Sequence, residues 1–161
     1  MVFVIARRAI PDCDHVSRFV PYSRQNRDAV TDAFLGLTSA ACELGPADKG
    51  GLSVTWIEHF GVFGHKAKRK AAIAFRASLD SRRLPPQAVF AYAQVRKIKA
   101  AAYEYGRLVR VVWDPVAGND GHCEIRHFAD EDLRLLDLLA TEVFGEPDLV
   151  LEMDLPAAQL L

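Results

Sequence analysis

Leu52-Ser53-Val54-Thr55-Trp56-Ile57 alternates with period two, and that alternation decides the fold class. It reads as a half-buried strand with Leu52, Val54 and Trp56 on one face and Ser53 and Thr55 on the other. Lys49-Gly50-Gly51 makes a turn before it. Upstream, Val2–Ala6 reads as a first short strand, and the polar but interleaved segment 12–20 as more than a linker. Thr31–Leu44 reads as a helix with Ala33, Leu37, Ala40, Ala41 and Leu44 on one face, ended by Gly45-Pro46. Downstream, Lys66–Leu79 returns to a helical pattern, with Lys66, Lys68, Arg69 and Lys70 placed against the helix dipole. Pro85-Pro86 breaks the chain, and Ala88–Val95, Arg107–Trp113 and Cys123–Phe128 read as strands around an ambiguous Ala-rich segment at 100–102. Asp130, Glu131 and Asp132 open a helix ending near Gly145, and Leu149–Leu151 reads as a last short strand. Strand and helix do not alternate regularly, which excludes a doubly wound parallel sheet. The expectation is α+β: one largely antiparallel sheet with two or three packed helices.

The chain has 161 residues, 20 Lys+Arg against 21 Asp+Glu, and half its residues apolar. One domain over 1–161 is expected, with 155–161 a frayed tail; a chain of this length buries roughly two-thirds of its unfolded surface and needs no staple. Ordinary apolar content with unremarkable Gly and Pro excludes disorder and collagen-like states. No apolar stretch reaches the ~20 residues of a membrane-spanning helix, and Arg7-Arg8 follow the apolar start, opposite to a secretory signal. Cys13, Cys42 and Cys123 lack CxxC spacing, which points to a reducing cytoplasm. Charge is divided by region: 6 Lys+Arg against 7 Asp+Glu in 1–64, 10 against 1 in 65–99, and 4 against 13 in 100–161. The basic middle suits either a phosphate-bearing ligand, nucleic acid included, or a surface lying beside the acidic C-terminal part.

Three polar clusters lie at predicted strands: Asp12-Cys13-Asp14-His15-Val16-Ser17-Arg18, Leu52 to His59, and Gly121-His122-Cys123-Glu124-Ile125. Asp-His-Val-x-Arg-x-Val, Leu-Ser-Val-x-Trp-x-Glu and the late Gly-His-Cys-x-Ile resemble a family of small bacterial proteins without an assigned activity. The resemblance implies a bacterial, cytoplasmic, one-domain protein. Arg18, Ser53 and Glu124 also occur in the order of the Arg-Ser-Glu ADP-ribosyltransferase-like folds. That resemblance implies NAD as cofactor: Arg18 on its phosphates, Ser53 at the nicotinamide ribose, and Glu124 on a ribose hydroxyl and the oxocarbenium-like transition state. The sequence departs from the pattern in having Leu-Ser-Val for Ser-Thr-Ser and His122 where a second Glu stands.

The leading expectation is therefore one strand-end pocket for an anionic ligand, a nicotinamide nucleotide first. Arg18, Ser53, His122 and Glu124 are its catalytic candidates, and His15, Arg18, Ser53 and Glu58 its binding candidates. The bland reading of Arg18 and Glu124 is an ion pair on the sheet, and Glu58 is the candidate partner for the Trp56 indole. His15 and His122 with a nearby cation would suit a metal-independent RNase, such as a toxin. A zinc site from Cys13, His15, His122 and Cys123 is disfavoured, because His122 and Cys123 point to opposite strand faces, and no metal is assigned. The non-enzymatic alternative is an immunity or adaptor protein, as in a toxin-antitoxin pair, docking a partner through its opposite charges.

Overall fold

The computed structural model describes residues 8–45, 48 and 50–157. The strand expected over Val2–Ala6 and the end of the expected tail lie outside them. Among the described residues eight strands and three α-helices follow in order: β1 (His15–Val20), β2 (Gln25–Arg27), β3 (Phe34–Leu37), β4 (Leu52–Trp56), α1 (His65–Ala77), β5 (Val89–Gln94), α2 (Val95–Glu104), β6 (Arg110–Trp113), β7 (His122–Arg126), α3 (Leu133–Leu138) and β8 (Gly145–Leu149). Six strands form one antiparallel sheet in the order β6-β7-β4-β1-β5-β8, and β2 and β3 form a separate hairpin. The architecture is α+β, as the irregular element order implies.

The two faces of the sheet bury different cores. Val16 and Val20 of β1, Leu52, Val54 and Trp56 of β4, and Cys123 and Ile125 of β7 point to one face. There α2 lays down Val95, Ile98, Ala101 and Ala102, and α3 with the π-helical turn Leu139–Val143 lays down Leu135, Leu136, Leu139 and Ala140. The opposite face carries Phe90 and Tyr92 of β5, against which α1 packs Ala67, Ala71 and Ala72. α1 also sets Phe75 over Phe19 of β1 and Phe90 of β5. Over β4 and β7 the face is left to Ser53, Thr55, His122 and Glu124, which the registers Ser53↔Glu124 and Thr55↔His122 place together.

Two expectations are corrected. The stretch read as a helix from Thr31 to Leu44 is β3 followed by the 3-10 turn Ser39–Cys42. Asp28 explains the difference: its Oδ1 accepts the N–H groups of Val30 and Thr31, and Asp32 at φ 58° then reverses the chain into the hairpin with β2. The Ala-rich segment around 100–102 belongs to helix α2, and the last strand is Gly145–Leu149, ahead of Leu149–Leu151.

β1 treats its two neighbours unequally. With β5 it holds six consecutive pairs from His15↔Gln94 to Val20↔Val89. With β4 it holds only Val16↔Trp56 and Ser17↔Thr55, with the Ile57 N–H donating to the His15 carbonyl at 3.0 Å at one end; past Ser17, toward Ser53, the two strands part.

Candidate functional site

The parting of β1 from β4 orphans the backbone of Ser53, whose N–H and C=O face the missing ladder. A buried backbone group left unpaired costs about 1–3 kcal/mol. An ion pair takes the place of the strand. Asp48 Oδ1 accepts the Ser53 N–H at 2.9 Å, and Arg18 Nη1 donates to the Ser53 carbonyl at 2.9 Å. Arg18 Nη1 lies 3.5 Å from Asp48 Oδ1, and Nε donates to the Ala41 carbonyl at 3.1 Å. Burial pulls the Arg18 pKa below the usual 12.5, Asp48 pulls against it, and the nearby Arg24 pushes it further down. Burial raises the Asp48 carboxyl, but Arg18 and the N–H groups of Gly45 and Ser53 more than offset it, so the net shift is downward. The pair is charged on both sides and serves the fold.

Above this gap lies a cavity of about 470 Å³. Its floor is Ser17, Phe19, Ser53 and Thr55; its walls are Phe75, Ser78 and Leu79 at the end of α1 and Val116 of the β6-β7 loop; Arg18, Asp48 and Arg24 stand along the gap. Arg18 points to the other face of the sheet than Ser53, and the two meet in one cavity only because the strands part between them.

The β6-β7 loop shapes the polar side. Asn119 is fully buried; it exchanges backbone hydrogen bonds with Val116, donates Nδ2 to Thr55 Oγ1 at 2.9 Å, and accepts the Gly121 N–H. Gly118, at φ 85°, lets the loop touch α1: a Cβ there would lie 2.5 Å from the Ala77 carbonyl oxygen. His122 is fixed from the same loop. Its Nδ1 lies 2.6 Å from the Asp114 carbonyl, which only accepts, so Nδ1 carries a proton. Nε2 then faces Ser53 Oγ at 3.3 Å.

The structure thus brings Arg18, Ser53 and His122 to one cavity. Glu124 does not join them. Its carboxylate accepts Arg126 Nε at 2.9 Å and Nη2 at 2.5 Å, and it lies over Gly50, which has no side chain to displace it. The ion pair expected between Arg18 and Glu124 is therefore replaced by Arg18–Asp48 and Glu124–Arg126. His15 and Glu58 stand elsewhere, bound to each other: Glu58 accepts the His15 N–H at 2.8 Å and lies 2.5 Å from Nδ1, while the imidazole stacks on Phe63 at 3.8 Å. His15 lines a second cleft of about 330 Å³ with Lys68, Lys97 and Glu142, so the two histidines expected to work together occupy separate clefts. The Trp56 indole donates to Asp14 Oδ2 at 2.8 Å, in place of Glu58.

Among the described residues no three His, Cys, Asp or Glu side chains gather as a metal site, and no helix is long and apolar enough to cross a membrane. Cys42 and Cys123 are free, buried thiols, each pushed up to about 12 chiefly by burial, which leaves neither a thiolate nucleophile. Part of the basic middle region is tied down: Arg69 donates to the Asp154 carbonyl, Arg76 to that of Pro156, and Lys99 pairs with Asp12.

Sequence reasoning missed Ser17, Arg24, Asp48, Thr55, Asp114 and Asn119. Ser17 and Thr55 had a signal, the period-two alternation that sets them on the face of Ser53; the loop residues Asp48, Asp114 and Asn119 had none. Compared with known proteins, the chain matches no family model, no curated protein and no solved structure.

Proposed function

We propose that the cavity between β1, β4 and the end of α1 binds a small organic anion, its apolar body against Phe19, Phe75, Leu79 and Val116 and its charge toward Arg24. The observation that carries this reading is the contrast between the two arginines along the gap. Arg18 is saturated by Asp48 and three backbone carbonyls, two of them within 3.1 Å. The half-buried Arg24 guanidinium, by contrast, has no hydrogen-bond or ion-pair partner among the described residues, and Asp48, the carboxylate that lines the same cavity, is engaged by Arg18. Ser17 adds specificity. It is 3 % exposed, its hydroxyl has no partner among the described residues, and it lines the cavity.

The size suits one aromatic or short-chain ligand carrying one anionic group. NAD, with two phosphates, is the larger alternative, with Arg24 in the role that the resemblance to ADP-ribosyltransferase-like folds implies for Arg18. The test is calorimetric titration with benzoate, phenyl phosphate and NAD, against benzamide as the neutral isostere of benzoate. Benzoate or one of the phosphates is expected to bind and benzamide to bind at least tenfold more weakly. Arg24→Ala is expected to remove about 10- to 100-fold in affinity, the worth of a charge-assisted hydrogen bond. Equal affinity for benzoate and benzamide, or anion binding untouched by Arg24→Ala, overturns the reading.

A further inference from the structure

The geometry points to Ser53 as an acyl-accepting nucleophile with His122 as its general base, which makes the cavity a site of ester hydrolysis. The inference rests on the anion-binding reading for substrate class and on separate observations for chemistry. A serine hydroxyl is a weak nucleophile until a base takes its proton, and the base must present an unprotonated nitrogen. The Asp114 carbonyl, 2.6 Å from Nδ1, fixes the tautomer: when the ring carries one proton that proton is on Nδ1, and Nε2 is the acceptor facing Ser53 Oγ. The 3.3 Å separation is that of a pair before substrate arrives, when such bonds are commonly long.

Two hydroxyl hydrogens stand on the same face of the sheet. The Ser17 hydroxyl has no partner among the described residues, and Thr55, directly opposite it in the register, uses its oxygen to accept Asn119 and leaves its hydroxyl hydrogen without an acceptor among them. They supply donors for the negative oxygen of a tetrahedral intermediate. The hydroxyls of Ser17, Ser53 and Thr55 share this face beside one imidazole, and the sheet does not require them there, since its ladder is closed by Arg18 and Asp48.

The steps balance without an added reagent other than water. Ser53 Oγ forms a bond to the acyl carbon while its proton passes to His122 Nε2. The carbonyl carbon–oxygen bond to the leaving group breaks, and the alkoxide takes that proton. Water then attacks the acyl-serine, gives a proton to Nε2, and the acid leaves as Oγ recovers the proton. The substrate class is an ester whose acyl chain ends in an anion, matched to Arg24.

The test uses the full chain with two probes. A fluorophosphonate followed by peptide mass mapping reports whether Ser53 is nucleophilic, independently of any variant. Mono-4-nitrophenyl adipate and 4-nitrophenyl hexanoate, equal in chain length, report turnover with and without the anion. Labelling is expected on Ser53 alone, with faster release from the adipate ester and about 10³-fold loss of release in Ser53→Ala and in His122→Gln. Ser17→Ala is expected to lower kcat by about 10-fold with KM little changed. Absence of label on Ser53, or ester release unchanged in Ser53→Ala, overturns the proposal. Failure of the two readings is separable. If adipate binds through Arg24 and neither ester is cleaved, the nucleophile falls and the anion site stands. If both esters are cleaved equally and Arg24→Ala changes nothing, the anion site falls and the nucleophile stands.

Discussion

The two ladders of β1 differ in length, and the difference locates the cavity. Toward β5, six consecutive pairs carry the backbone bonds of the strand, with Phe19, Phe90 and Phe75 clustered above, Phe19 stacked on Phe75 and Phe90 meeting both at an angle, at centroid separations of 5.0 to 5.6 Å. Toward β4 there are two pairs, and side chains finish what the backbone leaves undone. The complete ladder satisfies its own backbone, and the cleft beside it at His15 lies among side chains. An interrupted one opens a cavity and needs a buried ion pair to hold it open.

Four substitutions or conditions break or sharpen that contrast. The largest effect is expected from Arg18→Ala, which leaves Asp48 buried without its cation: about 3–5 kcal/mol of stability lost in denaturant unfolding. Replacing both members, Arg18→Met with Asp48→Leu, is expected to remain well below wild type, because the N–H and C=O of Ser53 would then have no partner. A double variant as stable as wild type would show that the ion pair does not substitute for the ladder. Gly118→Ala comes next, at about 2 kcal/mol, since the new Cβ meets the α1 backbone and φ is positive; thermal unfolding should show it, and an unchanged midpoint would mean the loop does not rest on α1.

Acid provides the third test. The Asp48 carboxyl is depressed in the folded chain, so its contribution is fully present above the unfolded value near pH 4 and is lost as pH falls through the lower folded value. Stability should decline below about pH 4 with a steeper slope in wild type than in Arg18→Ala; equal slopes would detach Asp48 from the effect. The smallest change is expected from Ser53→Ala, under about 1 kcal/mol, because only the bond between its hydroxyl and His122 disappears while its backbone partners remain. A loss as large as that of Arg18→Ala would mean the hydroxyl is structural.

Legibility in the sequence follows the same division. β4, β5 and β7 and the helix α1 could be read from periodicity, because each presents a regular apolar face to a core. β1 is harder: Arg18 stands on its apolar face between Val16 and Val20, while Phe19 points to the other, and the two-residue period is blurred. The false helix at 31–44 arose because Ala33, Leu37, Ala40, Ala41 and Leu44 are spaced three or four apart, a pattern that the Asp28 turn overrides. At the site, Ser53 and His122 could be singled out by residue type alone. Their partners could not, since Asp48 lies in a loop and Asp114 contributes a carbonyl that any residue carries. The pairing of Arg18 with Asp48, and not with Glu124, depends on where β1 leaves β4, which no local pattern encodes.

The carbonyl that holds His122 has one more consequence. A proton added to Nε2 leaves the Nδ1 bond to Asp114 intact, so the imidazole keeps one orientation in both charge states. Only the direction of the contact with Ser53 inverts, from accepting to donating. The ring can shuttle protons repeatedly without rotating, and each turnover would end with the side chain already aligned for the next.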